Sequence, residues 1–305
     1  MRYIFFGSPK FAAIFLERVI LAGLPPVAVV CNPDRPVGRK KVITPPPVKQ
    51  LITEYNLQSR RLLDRDSDLA SQASERTIKE KILIFQPASR SELTAYSLQL
   101  KALNVDLFVV AAYANIIPDS VLKISRRGVI GIHPSLLPKY RGATPIQSVL
   151  LAGEQRTGTS LYQMDAKVDN GPVIAQKDLA VDLNETYLSL ETKLAQLGAD
   201  LFINRAQDYI EDKLKPSEQN HAEVTFTKKF ETKDAEVDFA KDDPLSIYRK
   251  IQALNPEPGA YTFSFPGYEN KRVKLLSASY EDGLIHITKI QPDGKKPVTL
   301  TEKSK

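Results

Sequence analysis

The side chain with the clearest capacity for chemistry is His133. It lies in Gly131-Ile-His-Pro-Ser-Leu-Leu-Pro-Lys-Tyr-Arg-Gly142, one residue beyond a short, wholly apolar run at 129–132, and two prolines stiffen the loop that follows. An imidazole in such a place moves protons near neutral pH. Downstream, Met164-Asp-Ala-Lys-Val-Asp-Asn-Gly-Pro172 carries two carboxylates, Asp165 and Asp169, in a turn-forming stretch. A carboxylate beside an imidazole raises its pKa and fixes its orientation, which makes a proton-transfer pair. Each residue also has a plainer reading, as a core histidine or a turn aspartate, and the turn role is the one expected for Asp165. Nothing in the spacing itself brings Asp169 to His133.

Other chemistries find no matching residues. Cys31 is the single cysteine and has no adjacent histidine; Gly-x-Ser-x-Gly is missing; and Gly7-Ser-Pro lacks the spacing of a dinucleotide fingerprint or a P-loop. With His133, His221 and His286 far apart, no metal site is expected. A second informative passage is 33–49, where Arg35, Arg39, Lys40, Lys41 and Lys49 put five positive charges into what reads as a flexible loop. Such a loop holds phosphates by neutralising them and releasing counterions, or it is simply a solvated charged surface.

These residues need a scaffold, and the chain is long enough to supply one. It has 305 residues, 42% hydrophobic and 26% charged, with a formal charge of +6, which excludes a disordered or fibrous protein. No window reaches the run of about 18 apolar residues that a bilayer span needs. No signal peptide is read at the N-terminus, so a cytoplasmic protein is expected.

Short apolar runs at 2–6 and 26–31 flank a helical pattern at 9–21, giving strand, helix, strand. A helix at 48–55 leads into a charged stretch at 57–80, expected to be an exposed helical insertion, and then a strand at 81–85. A helix at 91–103 precedes strands at 106–111 and 129–132, whose lack of polar alternation favours a central parallel sheet covered by helices. Strands at 157–164 and 172–179 alternate more, as edge or antiparallel strands do, and a long helix is expected at 184–212. The texture changes at 213–222, a linker by composition. Beyond it, 223–305 reads as a β-rich domain with strands at 223–227, 260–265, 272–280 and 284–291 and one helix at 245–254. Ligands of open parallel sheets bind beyond the carboxyl ends of the strands, which puts the loops after Phe6, Cys31, Ala111 and Ile132 on one rim.

Five segments, in this order, resemble the methionyl-tRNA branch of the folate-dependent formyltransferases: Phe5-Phe-Gly-Ser-Pro-Lys-Phe-Ala12, Asp34-Arg-Pro-Val-Gly-Arg39, Ala112-Tyr-Ala-Asn-Ile-Ile-Pro118, the stretch from His133 to Gln147, and Asp165-Ala-Lys-Val-Asp-Asn-Gly-Pro172. The likeness continues through 253–260 and 291–297. It implies an α/β protein: a Rossmann-like domain with a mostly parallel sheet at 1–212, and a small, shortened, OB-like β-barrel domain at 223–305 that binds tRNA. The implied reaction moves a formyl group from 10-formyltetrahydrofolate to the α-amine of methionyl initiator tRNA, by a monomeric enzyme that needs no metal and no membrane. His133 and Asp169 match the family's catalytic pair. Ser135, Leu136, Leu137 and Pro138 match its folate-binding segment, with Ala112 and Tyr113 on the pterin side. Arg35, Arg39, Lys40 and Lys41 match the loop that meets the acceptor stem.

The chain departs from the pattern at Gly131, where the family has asparagine. Losing one oxyanion donor costs about 10²–10³ in rate, so a slow enzyme is expected; a gain of about 10² or more in Gly131→Asn would show that the surrounding machinery is intact, and no change from a zero baseline would support a non-catalytic protein. Asn115, expected on the same rim, is a candidate for the missing amide. Two other readings stand beside the first: a related formyltransferase or formyl-folate hydrolase acting on a small substrate, and a non-catalytic RNA- or folate-binding homologue.

Overall fold

The computed structural model describes residues 1–38, 40–65 and 81–300. Arg39, residues 66–80 of the expected insertion and the C-terminal 301–305 lie outside the described residues, and the expectations that rest on them lie there too.

The first half builds β1 (Tyr3–Phe6), α1 (Lys10–Leu21), β2 (Ala28–Val30), β3 (Arg35–Val37), β4 (Val42–Thr44), α2 (Pro47–Arg65) and β5 (Leu83–Phe85). Then come α3 (Arg90–Ala95), α4 (Ser97–Ala102), β6 (Leu107–Ala111), α5 (Asp119–Leu122), β7 (Val129–His133), α6 (Pro145–Ala152), β8 (Arg156–Gln163), β9 (Val173–Ala180) and α7 (Tyr187–Ile210). The remainder forms α8 (Pro244–Leu254), β10 (Tyr261–Thr262), β11 (Val273–Glu281), β12 (Leu284–Pro292) and β13 (Val298–Thr299).

Seven strands form one sheet in the order β5-β2-β1-β6-β7-β8-β9. β1, β6 and β7 are buried along their whole length, as strands covered on both faces must be. The pairing is parallel from β5 to β7 and reverses at β8, which runs antiparallel with Gly131 opposite Tyr162 and His133 opposite Ser160. Chain order turns back between β1 and β6, so the loops beyond these strands open on the side where such sheets bind ligands. Ile4, Phe6, Phe108, Val110 and Val129 pack into one apolar cluster beneath that rim.

Several local expectations change. Within 33–49, Arg35–Val37 and Val42–Thr44 pair as a hairpin, with Pro36 opposite Ile43, and Gly38 has φ +71°. Both strands are largely exposed, so neither shows the alternation by which a strand is recognised. The single helix expected at 91–103 is two short helices meeting at Tyr96, whose ring packs edge-on against Phe85 at 5.3 Å. His133 is the last residue of β7 and not the first beyond it. Ser217, in the expected linker, exchanges two backbone hydrogen bonds of 2.8 Å with Val173 at the free edge of β9. The strand expected at 223–227 is a single bridge from Phe226 to Arg141.

The described chain divides into two compact units that are not contiguous in sequence. One comprises Met1–Pro138, Gly158–Asp178 and Thr192–Glu223; the other comprises Lys139–Thr157, Leu179–Glu191 and the residues from Val224 onward. In the second unit, α6 buries Ile146, Val149 and Leu150 and packs on α8, which buries Ile247, Ile251 and Leu254. α8 is opened by Pro244 and capped by Asp243, whose carboxylate accepts from the Ser246 N–H at 3.0 Å. Beneath α8 lies a four-stranded antiparallel sheet in the order β10-β11-β12-β13, its inner face formed by Val273, Leu275 and Ile290.

Candidate active site

His133 and Asp169 meet in the first unit. His133 Nδ1 is 3.5 Å from Asp169 Oδ2, and the two side chains are 7% and 15% exposed. The histidine is held by the end of β7, inside a sheet, while the aspartate sits in the turn between β8 and β9. A shielded carboxylate next to an imidazole is an arrangement that orients the ring.

The Asp169 turn is tightly built. Gln163 N–H donates to the Pro172 carbonyl at 2.8 Å, closing the loop, and a Cβ built on Gly171 would fall onto the Gln163 carbonyl. Glycine is therefore required there. Asp169 itself has φ +47°, a left-handed conformation that an L-residue adopts at a cost of about 1–3 kcal/mol unless its surroundings hold it. Those surroundings include Gln219, whose Nε2 donates to the carbonyls of Asp169 at 3.0 Å and Gly171 at 2.7 Å. Asp165 is a turn residue: its carboxylate accepts from the Lys167 N–H at 2.8 Å and from Asn170 Nδ2 at 2.7 Å.

Beside Gly131 lies the ring of Tyr162, from the facing position on β8. A Cβ at 131 would lie 2.3 and 2.4 Å from two of its ring carbons and 2.7 Å from the phenol oxygen, too close for any of them to stay where they are. The phenol O–H donates to Asp169 Oδ1 at 2.7 Å. Burial first, and then the charge of Asp169, push the Tyr162 phenol far above its ordinary pKa, so it is a permanent donor. An asparagine at 131 would therefore require the Tyr162 ring to move. Asn115 is engaged elsewhere: its Nδ2 donates to Asn32 Oδ1 at 3.1 Å.

The segment after His133 is fixed from below. Ser135 is fully buried, and Leu137 precedes a cis proline, Pro138. Ser160 Oγ donates to the Ser135 carbonyl at 2.6 Å and accepts from the Leu137 N–H at 3.0 Å. Gln176 Nε2 donates to the Leu137 carbonyl and to Ser160 Oγ, both at 2.8 Å. On the adjacent strand end, Ala112 has φ +48° and is exposed, and Tyr113 stacks edge-on against Phe6 at 5.6 Å. Because Ala111 pairs with Ile132, segments 112–113 and 135–138 share one rim.

Arg35, Lys40 and Lys41 are exposed on the β3–β4 hairpin. Lys49 is not part of that cationic surface: it lies in α2, and its Nζ reaches both Asp34 oxygens at 2.7 and 2.8 Å. Hydrogen bonds from Gln86 and Lys49 lower the Asp34 pKa. Cys31 is buried, and that burial pushes its thiol up to about 12, which removes it from nucleophilic chemistry at neutral pH.

Sequence reasoning missed Tyr162, Ser160, Gln176 and Gln219. All four act across the sheet or along its edge, at positions that only register and chain return bring to the site.

Comparison with known proteins agrees with this architecture. The N-terminal formyl transferase family model matches residues 1–206, and the model for the formyl transferase C-terminal domain matches 229–284. The methionyl-tRNA formyltransferase of Methylococcus capsulatus is 34% identical, over 99% of this chain and 96% of its own length. That of Thermotoga maritima is 36% identical, over 94% of this chain and 83% of its own. Among solved structures, the methionyl-tRNA formyltransferase from Clostridium thermocellum superposes with a TM-score of 0.56 at 16% identity, covering 96% of this chain and 98% of that one. HypX from Aquifex aeolicus, solved with tetrahydrofolic acid, has a TM-score of 0.61 at 17% identity, over 98% of this chain and 46% of its own. With both domains matched in order and relatives above 30% identity over nearly its whole length, the chain belongs to the formyl transferase family.

Proposed function

We propose that this chain transfers a formyl group from 10-formyltetrahydrofolate to the α-amine of methionine on initiator tRNA. The observation that carries the reading is the His133–Asp169 pair, 3.5 Å apart at the end of a buried strand. The folate donor supplies a formyl carbon already activated by its bond to nitrogen. The amine attacks as the neutral base, the bond from formyl carbon to N10 breaks, and the proton lost by the amine ends on the departing nitrogen. His133 donates to the oxygen on which charge develops. Asp169 holds the imidazole from its Nδ1 side and assists proton movement through water.

The residues present suit a folate. Leu136 and Pro138 are half-buried and offer apolar surface, Ser135 and Leu137 fix the backbone under it, and Ala112 and Tyr113 line the neighbouring strand end. Arg35, Arg39, Lys40 and Lys41 neutralise acceptor-stem phosphates, and the domain at 223–305 adds tRNA contacts. The names of the Methylococcus and Thermotoga relatives support this acceptor.

The test is formylation of methionyl initiator tRNA with 10-formyltetrahydrofolate at stoichiometric enzyme. Formylmethionyl-tRNA is the expected product. Its absence, or preferential formylation of an amino-sugar nucleotide with no salt dependence, overturns the reading.

A further inference from the structure

We propose that Tyr162 is a positioning residue for the reaction, anchoring the Asp169 carboxylate from the strand that faces Gly131. The inference rests on the reading of His133 and Asp169 as the reacting pair. Three observations carry it. The ring of Tyr162 occupies the space that a side chain at 131 would need, and its oxygen lies 2.7 Å from the Cβ such a side chain would have. That oxygen donates to Asp169 Oδ1 at 2.7 Å, while the other carboxylate oxygen, Oδ2, faces His133 Nδ1 at 3.5 Å. Finally, Gly131 and Tyr162 are direct partners in the antiparallel β7–β8 register, so the two positions are tied by the backbone and not by a flexible loop.

The geometry assigns each group one task. The phenol has a single proton and gives it to Asp169, so Tyr162 acts through the carboxylate and does not itself meet the oxyanion. Anchoring Oδ1 stops the carboxylate from rotating, and Oδ2 is left to orient the imidazole. Glycine at 131 and tyrosine at 162 are then one design: the ring is admitted only because no Cβ stands in its way.

The test begins with Tyr162→Phe, which keeps the ring and removes the O–H. Single-turnover formylation is expected to slow about 10- to 100-fold, the range for a lost hydrogen bond to a charged group, with KM for both substrates unchanged. A purely structural role would lower the melting temperature and leave kcat of the folded enzyme unchanged.

Two more variants test the coupling. Gly131→Asn alone is expected to lose activity because the asparagine meets the ring, and Gly131→Asn combined with Tyr162→Ala is expected to recover at least tenfold over that single change. Wild-type kcat in Tyr162→Phe, or no recovery in the double variant, overturns the inference. His133→Ala and Asp169→Asn separate the two levels. If both formylate at the wild-type rate, the reading of the pair has failed. If both are impaired while Tyr162→Phe is not, only the role of Tyr162 has failed.

Discussion

Ser160 Oγ and Gln176 Nε2 lie 2.8 Å apart, and both reach Leu137, one at its N–H and the other at its carbonyl. Two side chains from β8 and β9 thus hold the backbone of the segment that begins with His133. Ser160→Ala leaves a buried N–H and a buried carbonyl without this partner, at a cost of about 1–3 kcal/mol each way of counting a lost buried bond. The expected outcome is a lower denaturation midpoint and a KM for the folate donor raised more than kcat is lowered, measured by urea unfolding and steady-state kinetics.

His133→Ala is expected to lower kcat by about 10²–10⁴, the usual contribution of a positioned proton-transfer group. Tyr162, Gln219 and the closed turn around Asp169 stay in place, so the melting temperature should change little. A variant with normal kcat would show that the imidazole serves the fold alone.

On the β3–β4 hairpin, Arg35→Ala, Lys40→Ala and Lys41→Ala are each expected to weaken tRNA binding and to flatten the plot of log affinity against log salt by about 0.7–0.9. Lys49→Met is the internal control. Its ammonium is already engaged by Asp34, so the slope should not move. Filter binding across a salt series distinguishes the two behaviours.

Cys31 makes a pH prediction whose sign follows from burial. Its thiol is raised from 9.0 to about 12 in the folded chain, so the folded state holds that proton more tightly than the unfolded state does. The stabilisation is fully present below pH 9 and is lost as pH rises toward 12. The raised phenols of Tyr3 and Tyr162 act in the same direction. Cys31→Ala should therefore flatten the alkaline decline in stability. In the native protein at pH 8 the thiol should resist alkylation until the chain is unfolded.

Much of the scaffold was legible because burial on both faces leaves an unmistakable apolar run. β1, β6 and β7 are such runs, and His133 at the end of β7 follows from them. The β3–β4 hairpin was not legible: it is short, contains Pro36, and exposes both faces, so neither periodicity nor composition marks it. The division of the helix at Tyr96 has no glycine or proline to announce it. Tyr162 reads along the sequence as one more apolar strand residue. Its partnership with Gly131 exists only in the register of an antiparallel pair, which a linear reading does not contain.

The second compact unit borrows α6 from the middle of the chain, and α6 covers its apolar face with α8 from near the end. A gene truncated just before residue 224 would consequently not release a self-sufficient enzyme half. Its product would carry Ile146, Val149 and Leu150 into water, and aggregation, not a soluble fragment, is the fate to plan for when dissecting this protein by deletion.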